Sequence, residues 1–357
     1  MKKEAIIIVP GLNSKVAGTI LDQVVNQLAD HKEIEVSTKK NQNNHQTQSL
    51  ELTFIDQEQE EKEIDVYEVF WGDIINENSN PEKSLFKKLV FGFELIVFWF
   101  FSKIWRAALS NKFIFVGICF SGIVILIWYL SIIGLVISSI FEYSSFSDFI
   151  PNFLKLFSSE KAAENLAKEV SEENFVKPLL GVIIALMAIF PTAIILKMSG
   201  FTMKYLKSSL VRDKVTDRIE KQMNALMKDD KYNRITIFSH SIGTIPVVDF
   251  FANFENKSNS KIRSVTTGAP ASFLALKSPR INECLQLCST NPHINEWWDY
   301  FSTEDYMCSY RNVDDLGVDN FVSIPLSMDS SWLARFSQKV HLQYYEDARI
   351  IKKLILD

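Results

Sequence analysis

The chain has 357 residues, enough for two average domains or for one domain carrying a large insertion. A net charge of −5 supplies no overall basic field, which argues against a nucleic-acid partner. The four cysteines (Cys119, Cys284, Cys288, Cys308) form no CxxC pair, so they point to reduced thiols in a cytosol-facing protein rather than to a disulfide framework or a metal site.

The first element is Ala5–Val9, five apolar residues closed by Pro10-Gly11. The run is too short for the apolar region of a signal peptide and reads as a buried strand, with the N-terminus in the cytoplasm. Val16, Ile20, Val24 and Leu28 recur at helical spacing, the face a helix lays on a sheet. Ile34–Ser37 is a strand candidate, Lys39–Gln48 a polar loop, and Leu50–Ile55 and Ile64–Trp71 carry strand alternation around an acidic turn, Gln57–Glu63. Residues 1–80 thus form the first part of an α/β domain.

Residues 81–199 differ in character. Phe113 to Phe141 is a run of 29 residues without a charge, and a bilayer crossing needs only ~20. A second uncharged run begins at Pro178, so transmembrane helices are expected over about 113–141 and 178–198. Residues 89–106 are apolar and aromatic but include Glu94, Lys103 and Arg106, which suits an interfacial helix. Lys87, Lys88, Lys103 and Arg106 precede the first span, and Lys197, Lys204 and Lys207 flank the second. The loop between them holds Glu160, Glu164, Glu169, Glu172 and Glu173. The positive-inside rule then puts both flanks in the cytoplasm. Two spans also return the chain to one side, as a sheet shared by residues 1–80 and 200–357 requires.

In the second part, Val211, Val215, Ile219, Met223 and Leu226 predict a helix, and Ile235–Phe238 a buried strand. Ser239-His240-Ser241-Ile242-Gly243 follows that strand at once and leads into the apolar residues of a helix. Small–x–Ser–x–Gly in this setting is a nucleophile elbow, whose tight turn holds the serine above the sheet edge. Residues two before and two after the serine must be small, which Ser239 and Gly243 are. Val265–Thr267, Glu296–Ser302 and Phe321–Pro325 are further strand candidates, and a helix is expected over Leu342–Leu356. Strands alternating with helices argue for an α/β fold with a mostly parallel, helix-flanked sheet.

A serine nucleophile needs a base and an acid to orient that base, here in the chain order serine, acid, histidine. Only His293 and His341 follow Ser241. His341 lies beyond the last strand candidate, where the base belongs; His293 precedes a strand. Asp305, just after the 296–302 strand, fits best as the acid, with Glu304 as runner-up. Singly, Asp305 also fits a surface turn and His341 a helix start; the ordered set with the elbow is what points to chemistry. The oxyanion hole needs two backbone N–H donors. Ile242 supplies one, and Leu12, in the loop after the first strand, is the candidate for the other.

These segments resemble the α/β-hydrolase superfamily, serine lipases and esterases in particular. IIIVPGLN is similar to its first strand and oxyanion loop, IFSHSIG to its elbow, WWDYFSTEDY to its acid-bearing loop and VHLQYYED to its closing histidine segment. The resemblance covers about two-thirds of the chain and omits the insertion. Ser239 stands where that family usually has glycine, and Pro10 where a histidine often stands. The resemblance implies ester hydrolysis through a Ser241–His341–Asp305 triad and an acyl-enzyme, with no metal or cofactor. The insertion adds an expectation about substrate: a lipid or acyl ester, met at the inner membrane of what the Ile/Lys/Asn-rich usage suggests is a bacterium. The alternative is an inactive, membrane-bound binding or effector protein with a hydrolase fold.

Overall fold

The computed structural model describes residues 2–12, 16–29, 37–41, 47–55, 61–79, 85–101, 121–130, 192–228, 230–305, 320–328 and 338–355, with the single positions 115, 118, 119, 133, 307 and 308. The chain divides into two compact units. One comprises Met1–Asn78, Ser102–Ile118 and Lys204–Asp357, and the other Ser79–Phe101 and Cys119–Met203.

The first unit is built on an eight-stranded sheet. Its strands are β1 (Lys2–Val9), β2 (Ser37–Asn41), β3 (Thr47–Ile55), β4 (Glu61–Val69), β5 (Tyr232–His240), β6 (Lys261–Thr267), β7 (Glu296–Phe301) and β8 (Phe321–Pro325). The spatial order is β2-β3-β4-β1-β5-β6-β7-β8. The six strands from β4 to β8 pair in parallel, and β2 and β3 extend them as an antiparallel edge. β1 and β5 are central and read as continuous apolar runs, as strands covered on both faces should.

Helices cover both faces. On one, Ile6 and Ile8 of β1 share a core with Ile20, Leu21, Val24 and Val25 of α1 (Thr19–Ala29) and with residues of the C-terminal helix, including Ile350, Ile351 and Leu354. The other carries the helix Ser209–Lys228, which contacts β1, β4 and β5. Its buried stripe is Val211, Val215, Ile219, Met223 and Leu226, the 3.6-residue spacing turned into a packed face.

In chain order the further helices are α2 (Gly72–Ser79), α3 (Leu85–Phe100), α4 (Thr192–Lys207), α5 (Ser209–Lys228), α6 (Thr244–Phe251), α7 (Ala271–Lys277), α8 (Pro279–Thr290), α9 (Gln338–Leu342) and α10 (Ala348–Ile355). Sequence spacing predicts neither α2 nor α7, and β2 occupies part of the segment read as a polar loop. The closing helix is also not continuous. A 3-10 turn, Gln343–Tyr345, separates α9 from α10.

The second unit, as far as it is described, consists of α3, the helical residues 121–130 and the larger part of α4. Leu95, Val124, Ile125, Ile195, Leu196 and Met203 are its buried core, with Phe91, Phe98, Trp99 and Trp128 packed around it. Helix–helix contact passes over glycines. A Cβ on Gly92 would lie 2.4 Å from the Tyr129 ring, one on Gly122 2.8 Å from Phe100, and one on Gly200 2.6 Å from Phe91. Among the described residues no helix is long and apolar enough to cross a membrane. Most of the two spans expected from sequence, including residues 134–141 and 178–191, and residues 102–106 of the expected interfacial helix, lie outside the described residues. The described part of the latter belongs to α3, which starts earlier, at Leu85.

Strand register decides where the loops gather. Val9 pairs with Ser239, His240 with Thr267, and Thr267 with Tyr300. The C-terminal ends of β1, β5, β6 and β7 are therefore level, and the segments leaving them meet at one edge, where open parallel sheets keep their ligands.

Candidate active site

The turn from β5 into α6 is abrupt. His240 is still extended (φ −127°, ψ 140°), Ser241 is left-handed at φ 56°, and Gly243 is already helical. A non-glycine residue held there costs about 1–3 kcal/mol and persists only where its surroundings impose it. The imposing contacts come from β1. A Cβ on Gly243 would stand 2.5 Å from the Pro10 carbonyl oxygen and 2.7 Å from that of Val9, so the backbones nearly touch and only glycine fits. Gly11 meets the same restriction, since its Cβ would lie 3.0 Å from that of Ser241. Ser239, where sequence reasoning asked for a small residue, is fully buried, and its hydroxyl has no hydrogen-bond partner.

Two hydrogen bonds join the three residues singled out from sequence. Asp305 Oδ2 lies 2.7 Å from His341 Nδ1, and His341 Nε2 lies 2.6 Å from Ser241 Oγ. A carboxylate can only accept, so Nδ1 carries the imidazole proton and Nε2 is left to accept from the serine hydroxyl. All three side chains are buried. Each comes from a different segment: the serine from the elbow, the aspartate from the turn after β7, the histidine from α9.

Asp305 is held by its own turn. Asp305 N–H donates to Ser302 O at 3.2 Å, Met307 N–H donates to Asp305 Oδ1 at 3.0 Å, and Cys308 N–H closes onto Asp305 O at 3.2 Å. The carboxylate that meets His341 is thus that of Asp305, not of Glu304, whose N–H caps Ser302 Oγ instead. His293 lies before β7, at the opposite end of that strand from the turn carrying Asp305. Asp299 is a second buried carboxylate, inside β7; Thr266 Oγ1 donates to it at 2.6 Å, yet burial pushes its carboxyl up to about 6.

Leu12 and Ile242, the oxyanion candidates, are both buried; Ile242 follows Ser241, and Leu12 follows the glycine packed against it. Trp71 Nε1–H donates to Pro10 O at 2.8 Å and pins this loop from the far side. Gly268, at the end of β6, is left-handed (φ 57°), and a Cβ there would press on Tyr344 and, at 3.2 Å, on His341 Cε1.

Sequence reasoning missed four residues of the site: Trp71, His240, Tyr344 and Tyr345. Of these only His240 gave a signal, by standing next to the serine. The tyrosines follow His341 by three and four residues and read from sequence as ordinary helix positions. No protein-family model, curated protein or solved structure matches this chain.

Proposed function

We propose that this protein is a membrane-anchored serine hydrolase that cleaves carboxylic esters, lipid acyl esters in particular. The observation that carries the reading is the unbroken line of hydrogen bonds Ser241–His341–Asp305 at 2.6 and 2.7 Å, beside a serine held at positive φ. His341 Nε2 takes the hydroxyl proton as Ser241 Oγ attacks the ester carbonyl, while Asp305 keeps the imidazole in the required tautomer and stabilises its charged form. Backbone N–H groups of Leu12 and Ile242 face the negative charge that develops on the carbonyl oxygen. The imidazolium returns its proton to the departing alcohol, leaving an acyl ester on Ser241. A water molecule, deprotonated by His341, then releases the acid and restores the serine.

Two features support a membrane setting. The 29-residue uncharged run is long enough to cross a bilayer. In the helical unit, Phe86, Val90, Phe93, Val97 and Phe101 are exposed at successive steps of three or four residues. That is an apolar stripe turned outward, of the kind that faces acyl chains.

The test is hydrolysis by the purified full-length protein in detergent. Release of fatty acid from a phospholipid, acylglycerol or acyl-protein, abolished in Ser241→Ala, is the expected result. Turnover of short soluble esters alone would overturn the lipid assignment. Inactivity on every ester would favour the binding-protein alternative.

A further inference from the structure

His240 and Ser241 are consecutive, yet they engage the same partner from two directions. Ser241 Oγ meets the ring of His341, and His240 meets its main chain: His240 Nε2 lies 2.7 Å from the His341 carbonyl oxygen. A carbonyl only accepts, so the His240 proton sits on Nε2. The ring is buried and has three aromatic neighbours, with centroids at 4.6 Å (His341), 4.5 Å (Tyr345) and 5.9 Å (Tyr344). Burial, reinforced by the adjacent His341, pushes its pKa well below the ordinary histidine value. His240 is therefore a neutral N–H donor whichever charge His341 carries.

The next residues along the chain extend that hold. The turn Gln343–Tyr345 sends two consecutive tyrosines in different directions. Tyr344 Oη accepts the Ser302 N–H at 2.9 Å, so it holds the start of the turn that carries Asp305. Tyr345 instead packs its ring on His240 and on Phe238 of β5.

We infer that His240 is a positioning residue for the base: by holding the His341 carbonyl it keeps the imidazole Nε2 on Ser241 Oγ while the proton is transferred, with Tyr344 extending the restraint to the acid turn. This rests on the serine-hydrolase reading. Catalytic geometry is unforgiving, since a misplacement of about 1 Å can cost on the order of 100-fold in rate. A histidine that merely fills core volume would contribute nothing specific to turnover.

The experiment compares two replacements in the full-length protein, with turnover of a soluble p-nitrophenyl ester and thermal stability measured together. His240→Leu fills the space without a donor, and His240→Gln keeps an N–H. The leucine variant should lose roughly 10- to 100-fold in kcat with KM changed less than about 2-fold. The glutamine variant should recover kcat to within about 3-fold of wild type. If leucine does not fold, His240→Met fills the same volume and takes its place. Equal losses in the apolar and glutamine variants, or no loss in either, would overturn the inference while wild-type turnover leaves the hydrolase reading intact. A wild type inactive on every ester would overturn both.

Discussion

The two units of this chain differ in what their helices leave exposed. In the sheet unit α5 buries Val211, Val215 and Ile219 and exposes Asp213, Lys214, Asp217 and Lys221, with Leu210 as an exposed exception. Burying each such aliphatic side chain is worth about 1.5–3 kcal/mol, the ordinary driving force of a fold in water. In the helical unit Phe86, Phe93 and Ile123 are more than half exposed, while glycines at 92, 122 and 200 lie where the helices meet. This unit also buries a core of large apolar residues, Leu95, Ile125, Leu196 and Met203 among them, so what sets it apart is the apolar surface it leaves outside. On the proposed reading the sheet unit carries the chemistry and the helical unit the membrane contact, and each half of that proposal can be broken separately.

The largest effect belongs to the sheet unit. His341→Ala should lower ester turnover by about 10⁴-fold or more, because nucleophile and base act as one device. Its binding to lipid vesicles should stay at the wild-type level; a parallel loss of both would break the division of labour. Next comes backbone proximity. Gly243→Ala drives a Cβ against the Pro10 carbonyl at 2.5 Å, and strand and helix backbones cannot yield, so unfolding in denaturant should show a loss of about 3 kcal/mol. Gly122→Ala meets only the tip of the Phe100 ring and should cost about 1 kcal/mol or less.

A third prediction concerns pH. Burial raises the Asp299 carboxyl to about 6, so the folded state binds its proton more tightly than the unfolded chain does. The stability this contributes is fully present below the unfolded carboxylate range and is lost as pH rises through about 6. Asp299→Asn keeps an acceptor for Thr266 and removes the charge. It should therefore stabilise the protein at pH 8 by up to about 3 kcal/mol relative to wild type, and by much less at pH 4, as read from melting temperatures across that range. Smaller again, Ser239→Ala removes a buried hydroxyl without a partner and should raise stability by about 1 kcal/mol; a loss of that size would mean the hydroxyl is satisfied in solution. Smallest is Phe93→Ser, on the outward face of α3. It should change stability by less than about 0.5 kcal/mol and leave soluble-ester turnover unaltered, while weakening retention on vesicles.

The parts of this molecule legible in its sequence are those set by local rules. β1, β5 and β7 are runs of apolar, β-branched and aromatic residues, and Gly243 answers a backbone contact that admits nothing larger. Asp305 and His341 were reachable because chain order and histidine scarcity left few choices. What escaped is what long-range packing decides. Nothing near Trp71 announces its bond to Pro10, 61 residues away. Tyr344 and Tyr345 sit on a 3-10 turn that interrupts an otherwise helical pattern, and their partners come from the turn after β7 and from β5. α7 begins at Ala271 beyond the left-handed Gly268, where its short length gives periodicity too few residues to register.

The central claim is that Ser241 is a nucleophile activated by His341, and it can be tested without knowing the substrate. The full-length protein, treated with a fluorophosphonate and digested, should carry one phosphonyl adduct on the peptide containing Ser241. The adduct should be absent in Ser241→Ala and form at a rate at least about 100-fold lower in His341→Ala. No adduct in the wild type, or an adduct that persists in Ser241→Ala, would contradict it.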